Sequence, residues 1–331
     1  MTSDAASDIS ERTSRHCGYV DLQINGVDDV DFSRADGDDW VRAGRRLVAS
    51  GVTGYLATIC SMPLDRYADA LQRVTTAQAA AGPDLPRILG VHLEGPFLGG
   101  ALGAHPPAMV RSMDVGWLTE LVDAFPGLVR LVTLAPEADP DSAGIRALVA
   151  RRITVSLGHT TASYEQAVAA ADAGATLTTH LFNGMGPLHH RAPGIVGAAL
   201  DPRVALTPTV IGDFVHVHPG VVAMAFAATD PILVSDAVAT GVSYFDAQVT
   251  AARGAAYLAD GTLTGAVALL DAAVRNVVGL GVPVADAVAA ASYRPAAVLG
   301  LTEPPGTIEL DSGLGVLGVW FDGHRVYSRD Q

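Results

Sequence analysis

Eight short runs of apolar and β-branched residues recur along this 331-residue chain, separated by stretches whose apolar residues repeat at helical spacing. This alternation is typical of βα units packed around a parallel sheet. The runs are residues 19–24, 53–59, 88–93, 128–134, 153–157, 176–181, 204–210 and 232–235. Eight successive units predict an α/β fold in which the strands close into a (β/α)8 TIM barrel.

The segments between and after these runs complete the predicted organisation. Amphipathic stretches indicate outer helices, and the glycine-rich, alternating tail is typical of short antiparallel strands. Predicted helices include residues 40–50, 66–81, 164–173, 265–279 and 284–291, and the strand-like tail covers 306–327. We therefore expect an N-terminal segment at 1–17 that is partly disordered, a barrel at 18–303 and a small, reduced β appendage formed mainly by 304–331.

An open, doubly wound sheet is compatible with the same alternation. The position of the polar residues separates the two folds, because a barrel collects its reactive groups at the C-terminal ends of several strands. Glutamate, histidine, histidine and aspartate follow four of the predicted strands, at Glu94, His159, His180 and Asp236. This placement favours the barrel.

The composition excludes several classes of function. The net charge is -14, with 21 basic residues against 35 acidic ones, so the chain has no basic stripe for nucleic-acid phosphates. No apolar run reaches the ~18 residues of a membrane span, and residues 1–11 lack the pattern of a signal peptide. We expect neither a nucleic-acid partner nor a membrane partner.

Two residue types narrow the chemistry further. Cys17 and Cys60 form neither a disulfide framework nor a paired metal motif, so we interpret them as small core residues of a cytoplasmic protein. Lysine is absent from the chain, which excludes Schiff-base chemistry and a lysine carbamate between two metal ions. A cyclic-amide hydrolase of the dihydroorotase type normally needs that carbamate, so we set this activity aside.

The four polar strand ends predict a metal-dependent hydrolase. Imidazole and carboxylate groups hold zinc or a similar divalent ion and leave a position for water, which makes Glu94, His159 and His180 a plausible ligand set. Each histidine taken alone is more often a packing residue, but four polar strand ends converging on one barrel mouth are the usual mark of a site. Asp236 is then the predicted general base.

Longer motifs show a resemblance to a known family. They are Val20-Asp21-Leu22-Gln23-Ile24-Asn25-Gly26, His92-Leu93-Glu94-Gly95-Pro96-Phe97, Leu134-Ala135-Pro136-Glu137, Gly158-His159-Thr160, Thr179-His180-Leu181-Phe182-Asn183-Gly184-Met185 with its extension through Pro193-Gly194, Leu233 to Ala237, and Gly261-Thr262-Leu263-Thr264-Gly265. The chain resembles the N-acetylglucosamine-6-phosphate deacetylases of the amidohydrolase superfamily over nearly the whole predicted barrel.

The resemblance implies hydrolysis of the acetamide of N-acetylglucosamine 6-phosphate, with one divalent ion on Glu94, His159 and His180 and with Asp236 activating water. Many amidohydrolases carry His-x-His in the first strand for a second ion, whereas this chain has Gln23 and Asn25, whose amides are poor zinc ligands. We expect these amides to support the ligands rather than to bind metal. Zn²⁺ is the expected ion, and Fe²⁺, Co²⁺ and Mn²⁺ suit similar ligands.

The resemblance also implies roles around the substrate. His105 matches the histidine that hydrogen-bonds the substrate near its carbonyl. The phosphate-binding set matches Asn183, the backbone N–H of Gly184, Arg191 and His216. A neighbouring subunit supplies part of that set in the family, so we expect a homodimer.

His92 precedes Glu94 by two residues and faces the same side of its strand, which predicts a supporting role beside the ligands. Phe214 departs from the glycine common in the family, within a loop expected near the sugar phosphate. A deacetylase of another N-acetylated amino sugar in a specialised pathway is therefore one alternative. A catalytically silent sugar-phosphate-binding paralogue is the other.

Overall fold

Eight parallel strands lie side by side in chain order in the computed structural model, which describes residues 13–244 and 247–330. They are Tyr19–Ile24, Val52–Cys60, Arg87–Glu94, Val129–Leu134, Thr154–Leu157, Leu177–Thr178, Thr207–Ile211 and Ile232–Val234. We refer to them as the first to eighth barrel strands. Each coincides with one of the apolar runs in the sequence.

The barrel closes between its first and eighth strands. A parallel bridge joins Ile24 to Ala237, and the backbone N–H of Asn25 donates to the Ala237 carbonyl over 2.7 Å. The N–H of Asp236 donates to the Gln23 carbonyl over 2.9 Å. This closure confirms the predicted (β/α)8 barrel over the open sheet, and it brings the two ends of the strand series together at the mouth.

Helices surround the barrel, largely where the apolar spacing predicts them. Their bounds are Asp38–Ala49, Tyr67–Ala80, Val115–Ala124, Ala143–Ala150, Tyr164–Asp172, Gly194–Leu200, Pro219–Ala228, Leu270–Gly279, Val284–Ala291 and Tyr293–Val298, with 3₁₀ turns at Leu64–Arg66, Pro107–Met109 and Pro136–Ala138. None of the helices in the described ranges is both long and apolar enough to cross a membrane.

Local sequence explains one of these helix starts in detail. Ser163 precedes the helix Tyr164–Asp172, and its hydroxyl accepts the backbone N–H of Gln166 while the Gln166 side chain accepts the N–H of Ser163. This reciprocal capping box satisfies two donors that the first helical turn leaves unpaired. The helix consequently begins immediately after the loop that carries His159.

The C-terminal segment forms the predicted β appendage together with one strand from the N-terminal segment. A four-stranded antiparallel sheet contains, in spatial order, Ser14–Cys17, Thr307–Leu310, Val316–Phe321 and His324–Ser328. Ser14 pairs with Leu310 and Cys17 with Thr307, so the end of the predicted N-terminal segment is part of this sheet. Residues 1–12 of that segment lie outside the described residues.

Short strands after the eighth barrel strand were not predicted. One antiparallel sheet there contains Thr250–Ala252, Ala255–Tyr257 and Leu263–Ala266, and a two-stranded sheet contains Ser243–Tyr244 and Ala247–Gln248. Another unpredicted two-stranded sheet follows the first barrel strand and contains Gly26–Val27 and Val30–Asp31. The helix predicted at 265–279 is wrong at its start, because Gly265 and Ala266 belong to a strand and the helix begins at Leu270. A Cβ on Gly265 would lie 2.3 Å from the Asp236 carbonyl oxygen, so the glycine permits this strand to approach the barrel mouth.

The core lies mainly between the barrel strands and the outer helices. Leu148 of the helix Ala143–Ala150 is fully buried in it, while its neighbour Val149 is 40% exposed. That helix leads directly into the fifth barrel strand, which positions His159.

These two residues offer a matched test of the packing. We expect Leu148→Ala to lower the free energy of unfolding by about 2–5 kcal/mol, because it removes buried methyl groups and leaves a cavity. Val149→Ala should change it by no more than about 0.5 kcal/mol, since the side chain is at the surface. Urea unfolding of both variants measures the difference, and equal losses would contradict the packing described here.

Candidate active site

Three buried side chains bring their ligand atoms together at the barrel mouth. Oε1 of Glu94 lies 3.1 Å from Nε2 of His159 and 3.1 Å from Nε2 of His180, and the two nitrogens are themselves 3.1 Å apart. All three residues are at least nine-tenths buried. The sequence places them far apart, and the barrel assembles them into one triangle.

Strand ends position these groups through an unusual backbone conformation. Glu94 is the last residue of the third barrel strand, while His159, His180 and Asp236 each lie two residues beyond the fifth, sixth and eighth strands. These last three have φ angles of +48°, +32° and +50°. Left-handed backbone is uncommon for residues other than glycine and concentrates at functional sites.

The donor set fits a divalent ion. Nδ1 of His159 lies 3.2 Å from the carbonyl of Ala101, a partner that would hold the proton on Nδ1 and leave the Nε2 lone pair for an ion when one is bound. Ligand atoms separated by 3.1 Å are able to lie together at the ~2.0–2.2 Å distances typical of Zn–N and Zn–O bonds. One carboxylate and two imidazoles are therefore a suitable site for one catalytic ion.

The charge of Glu94 is maintained despite burial. Burial alone would raise its pKa, but hydrogen bonds with His159 and His180 hold the pKa well below its usual value. The side-chain amide of Gln23 also donates to Glu94 Oε1 over 2.9 Å. The carboxylate thus faces the triangle in its charged form, as a metal ligand requires.

Asp236 lies beside the triangle and is held by two amides. Its Oδ1 accepts the Nε2 proton of Gln23 over 3.1 Å and the Nδ2 proton of Asn25 over 2.9 Å. Burial, together with the neighbouring charge of Glu94, raises the pKa of Asp236 to about 7. Gln23 and Asn25 accordingly serve as donors that orient the carboxylates, and Asp236 is poised to exchange a proton near neutral pH.

His105 completes one wall of the cavity. Its Nδ1 lies 3.0 Å from the hydroxyl of Ser61, its Nε2 lies 3.9 Å from Glu94 Oε2, and its ring makes an edge contact with His159. Burial, with the neighbouring His159, lowers the pKa of His105 to about 3. The imidazole is therefore neutral and offers either a donor or an acceptor at Nε2.

His92 lies beneath the triangle in a belt of hydroxyl groups. Its Nε2 is 2.7 Å from the Thr133 hydroxyl, and its Nδ1 is 3.3 Å from that of Thr58. The Thr133 hydroxyl in turn lies 2.7 Å from that of Thr179, the residue before His180. The hydrogen bonds of His92 thus run to hydroxyl groups on the two strands that flank its own, which also carries Glu94.

The residues proposed for phosphate are only partly assembled around the cavity. Asn183, Gly184 and His216 line a cavity of about 240 Å³ together with the triangle and Asp236. A Cβ on Gly184 would lie 2.8 Å from His159 Nδ1, so the glycine allows this loop to approach the ligand. Arg191 is exposed, and its Nη1 lies 2.8 Å from Nε2 of His190. Among the residues that the structure describes, Arg191 does not line this cavity.

His216 belongs to a buried ion pair. Its Nδ1 lies 2.7 Å from Asp213 Oδ2, and its Nε2 lies 3.3 Å from the Thr264 carbonyl. Burial lowers the pKa of His216, but the hydrogen bond and charge of Asp213 outweigh that effect and raise it above the usual value. Phe214, between these residues, has a φ of +65°. The interaction with Asp213 thus favours the protonated form of His216, which lines the cavity.

Sequence reasoning missed the contribution of the second barrel strand and of the strand Leu263–Ala266. Cys60 lies with its Sγ 3.4 Å from Glu94 Oε2, which makes it a neighbour of the site rather than an ordinary core residue. Thr264 and Gly265 line the same cavity. The family motif around Thr264 was visible in the sequence, whereas a cysteine ending an apolar run carries no signal of its own.

Comparison with known proteins agrees with the family resemblance seen in the sequence. The model of the amidohydrolase family matches residues 41–311. N-acetylglucosamine-6-phosphate deacetylase of Bos taurus is 37% identical, over 95% of this chain and 83% of that protein. N-acetylgalactosamine-6-phosphate deacetylase of Escherichia coli O157:H7 is 35% identical, over 92% of this chain and 85% of that protein.

A solved structure agrees with these relatives. It is a mutant N-acetyl-D-glucosamine-6-phosphate deacetylase of Mycobacterium smegmatis in complex with N-acetyl-D-glucosamine-6-phosphate. It superposes with a TM-score of 0.87 at 32% identity, covering 96% of this chain and 87% of that one.

Removal of one triangle ligand should remove the ion. We expect His180→Asn to lower the content of divalent metal well below one ion per chain, because an amide is a poorer zinc ligand than imidazole. His189→Asn is the control, since His189 is exposed and lies outside the triangle. Elemental analysis after dialysis measures both contents, and full occupancy in His180→Asn would show that this histidine is not a ligand.

Proposed function

Since the chain belongs to the amidohydrolase family, and within it to the N-acetylglucosamine-6-phosphate deacetylases, we propose that it hydrolyses the acetamide of N-acetylglucosamine 6-phosphate to glucosamine 6-phosphate and acetate. The observation that carries this proposal is the triangle of Glu94, His159 and His180 beside Asp236 in one cavity. We propose Zn²⁺ as the single catalytic ion of each subunit. A cytoplasmic location stays a prediction from the sequence.

The proposed chemistry divides between the ion and the side chains. A divalent ion at such a site lowers the pKa of water and polarises an amide carbonyl. Asp236 takes a proton from the attacking water, and its raised pKa lets it return that proton to the departing amine. This proton is needed because the amine nitrogen leaves the tetrahedral intermediate very poorly unless it is protonated first. His105, with Nε2 protonated, hydrogen-bonds the substrate near its carbonyl.

We assign the sugar phosphate to Asn183, the backbone N–H of Gly184 and His216, which line the same cavity as the triangle. Charge-assisted hydrogen bonds to phosphate are the stronger kind, and Asp213 favours the protonated form of His216. Arg191 is exposed on the same chain, which supports a role in the cavity of a neighbouring subunit in a homodimer. The planar guanidinium suits phosphate oxygens.

A second substrate has specific support. The N-acetylgalactosamine-6-phosphate deacetylase is 35% identical to this chain, close to the 37% identity of the N-acetylglucosamine-6-phosphate deacetylase of Bos taurus. The two sugars share the acetamide and the phosphate, so the triangle, Asp236 and the phosphate set would serve both. Comparing kcat/KM for the two phosphorylated sugars decides between them, and acetate release from neither would favour a silent sugar-phosphate-binding protein.

The role of Asp236 is tested by Asp236→Asn. We expect turnover to fall by several orders of magnitude with the metal still bound, because an amide cannot accept the proton of water. Acetate release and metal content are measured on the same preparation. Turnover close to the wild-type value in a metal-replete variant would remove Asp236 from the mechanism.

The role of Arg191 is tested by Arg191→Ala. We expect KM to rise much more for N-acetylglucosamine 6-phosphate than for N-acetylglucosamine, because only the former has a phosphate to lose contact with. Arg203→Ala is the control, since the Arg203 side chain is 83% exposed and pairs locally with Asp201. Equal changes in KM for the two sugars would separate Arg191 from phosphate recognition.

A further inference from the structure

Cys60 faces the side of Glu94 that the metal triangle does not use. It is the last residue of the second barrel strand, and its Sγ lies 3.4 Å from Glu94 Oε2. Nε2 of His105 lies 3.9 Å from the same oxygen. The three ligand atoms all lie within 4.8 Å of one another, and all three residues are buried. Glu94 thus has one ligand cluster on each of its two oxygens.

We propose that Cys60, Glu94 Oε2 and His105 form a second cation site, bridged to the catalytic one by the Glu94 carboxylate, which takes a soft divalent ion such as Zn²⁺ or Cd²⁺. Thiolate, imidazole and carboxylate are the three ligand types that zinc accepts in proteins. Thiolate selects soft ions over Mg²⁺ or Ca²⁺. The site goes beyond the single ion expected from the resemblance.

The distances suit such an ion after a small movement. Zinc bonds of ~2.0–2.3 Å at tetrahedral angles separate neighbouring ligand atoms by roughly 3.3–3.8 Å. The sulfur to oxygen distance of 3.4 Å already falls there. The His105 nitrogen lies 3.9 Å from the oxygen and within 4.8 Å of the sulfur, so its ring has to move about half an ångström toward the oxygen and up to about 1 Å toward the sulfur before all three atoms surround one ion.

Ser61 prepares His105 for this role. Its hydroxyl lies 3.0 Å from His105 Nδ1 and donates a long hydrogen bond, 3.5 Å, to the Glu94 carbonyl. The hydroxyl is therefore able to accept the proton of Nδ1, which leaves the lone pair of His105 on Nε2. A hydrogen bond of this kind to the far nitrogen is the usual support of a metal-bound histidine.

Charge and access determine when the second site fills. Cys60 lines both the 240 Å³ cavity and a neighbouring cavity of about 670 Å³, so an ion has two routes to its sulfur. Binding releases the thiol proton to solvent, and the thiolate and Glu94 offset the new positive charge. Repulsion from the first ion opposes binding. The second site should therefore fill only when metal exceeds one equivalent.

Occupancy of this site has a consequence that rests on the proposed function. The ion takes the lone pair of His105 Nε2, so that nitrogen no longer carries the proton that the substrate carbonyl needs. Excess Zn²⁺ should then inhibit deacetylation. Binding itself does not depend on the enzyme being a deacetylase.

The test titrates metal-free, full-length protein with Zn²⁺ and then with Cd²⁺. We expect two equivalents to bind to the wild-type chain, with a near-ultraviolet thiolate-to-cadmium absorption that rises with the second equivalent. Cys60→Val should bind one equivalent and lack the absorption, with affinity at the second site lowered by at least ~100-fold, the upper end of the loss for a supporting residue. Cys17→Ser is the matched control and should match the wild type in both readouts.

Three results would overturn the proposal. They are a single equivalent in the wild type at high Zn²⁺, a second equivalent that persists in Cys60→Val, or absorption that survives the loss of Cys60. Cys60→Ser keeps the side-chain size and a polar atom, so its absorption decides the matter should Cys60→Val fail to fold. Stoichiometry and absorption are read without substrate, which separates this proposal from the deacetylase assignment.

The activity arm uses the same proteins with N-acetylglucosamine 6-phosphate. Excess Zn²⁺ should inhibit the wild-type and Cys17→Ser proteins. The turnover of Cys60→Val in excess Zn²⁺ should equal its turnover with one equivalent of Zn²⁺. Inhibition of equal strength in Cys60→Val would detach the inhibitory effect from this site. Absence of all turnover at one equivalent of Zn²⁺, in a protein that still binds a second equivalent, would contradict the proposed function and leave the second site intact.

Discussion

The site depends on how a single buried carboxylate, Glu94, is stabilised. An ionised carboxylate inside a protein costs several kcal/mol unless charges and hydrogen bonds compensate for the lost water. Here Gln23, His159 and His180 converge on one oxygen, while Cys60 approaches the other. These partners come from, or directly follow, the first, fifth, sixth and second strands, so compensation exists only when the barrel is closed. Closure of the barrel is therefore required both for the fold and for a stable charge on Glu94.

The backbone at the barrel mouth shows the same dependence. His159, His180 and Asp236 adopt left-handed conformations that each cost of order 1–3 kcal/mol, and neighbouring segments hold them in place. Gly99 donates its N–H to the His159 carbonyl over 2.8 Å, and the N–H of His180 donates to the Thr209 hydroxyl over 2.8 Å. The turns aim the side chains inward, away from the path of a continuing strand. Such strain is tolerated because the surrounding strands fix both sides of each turn.

The sequence predicted the barrel and most of the polar mouth because both follow from local periodicity and from the rule that strand ends converge. It could not predict the pairing of Ser14–Cys17 with Thr307–Leu310, which joins segments almost 300 residues apart. The strands of two to four residues between Ser243 and Ala266 are too short to give a periodic signal. Cys60 was interpreted as a core residue because its neighbours along the strand are apolar. Its significance comes from Glu94 on the adjacent strand, with which it pairs in register.

In the proposed mechanism, Asp236 serves two opposite steps. Its burial next to Glu94 penalises the charged form, whereas Gln23 and Asn25 donate hydrogen bonds that favour it. These opposing effects raise the pKa to about 7, near the value at which a group both accepts and donates a proton with little driving force lost in either direction. In that mechanism, the first-strand amides of Gln23 and Asn25 orient Asp236 through these hydrogen bonds. They hold a carboxylate whose proton affinity suits the formation of a nucleophile from water and the departure of an amine.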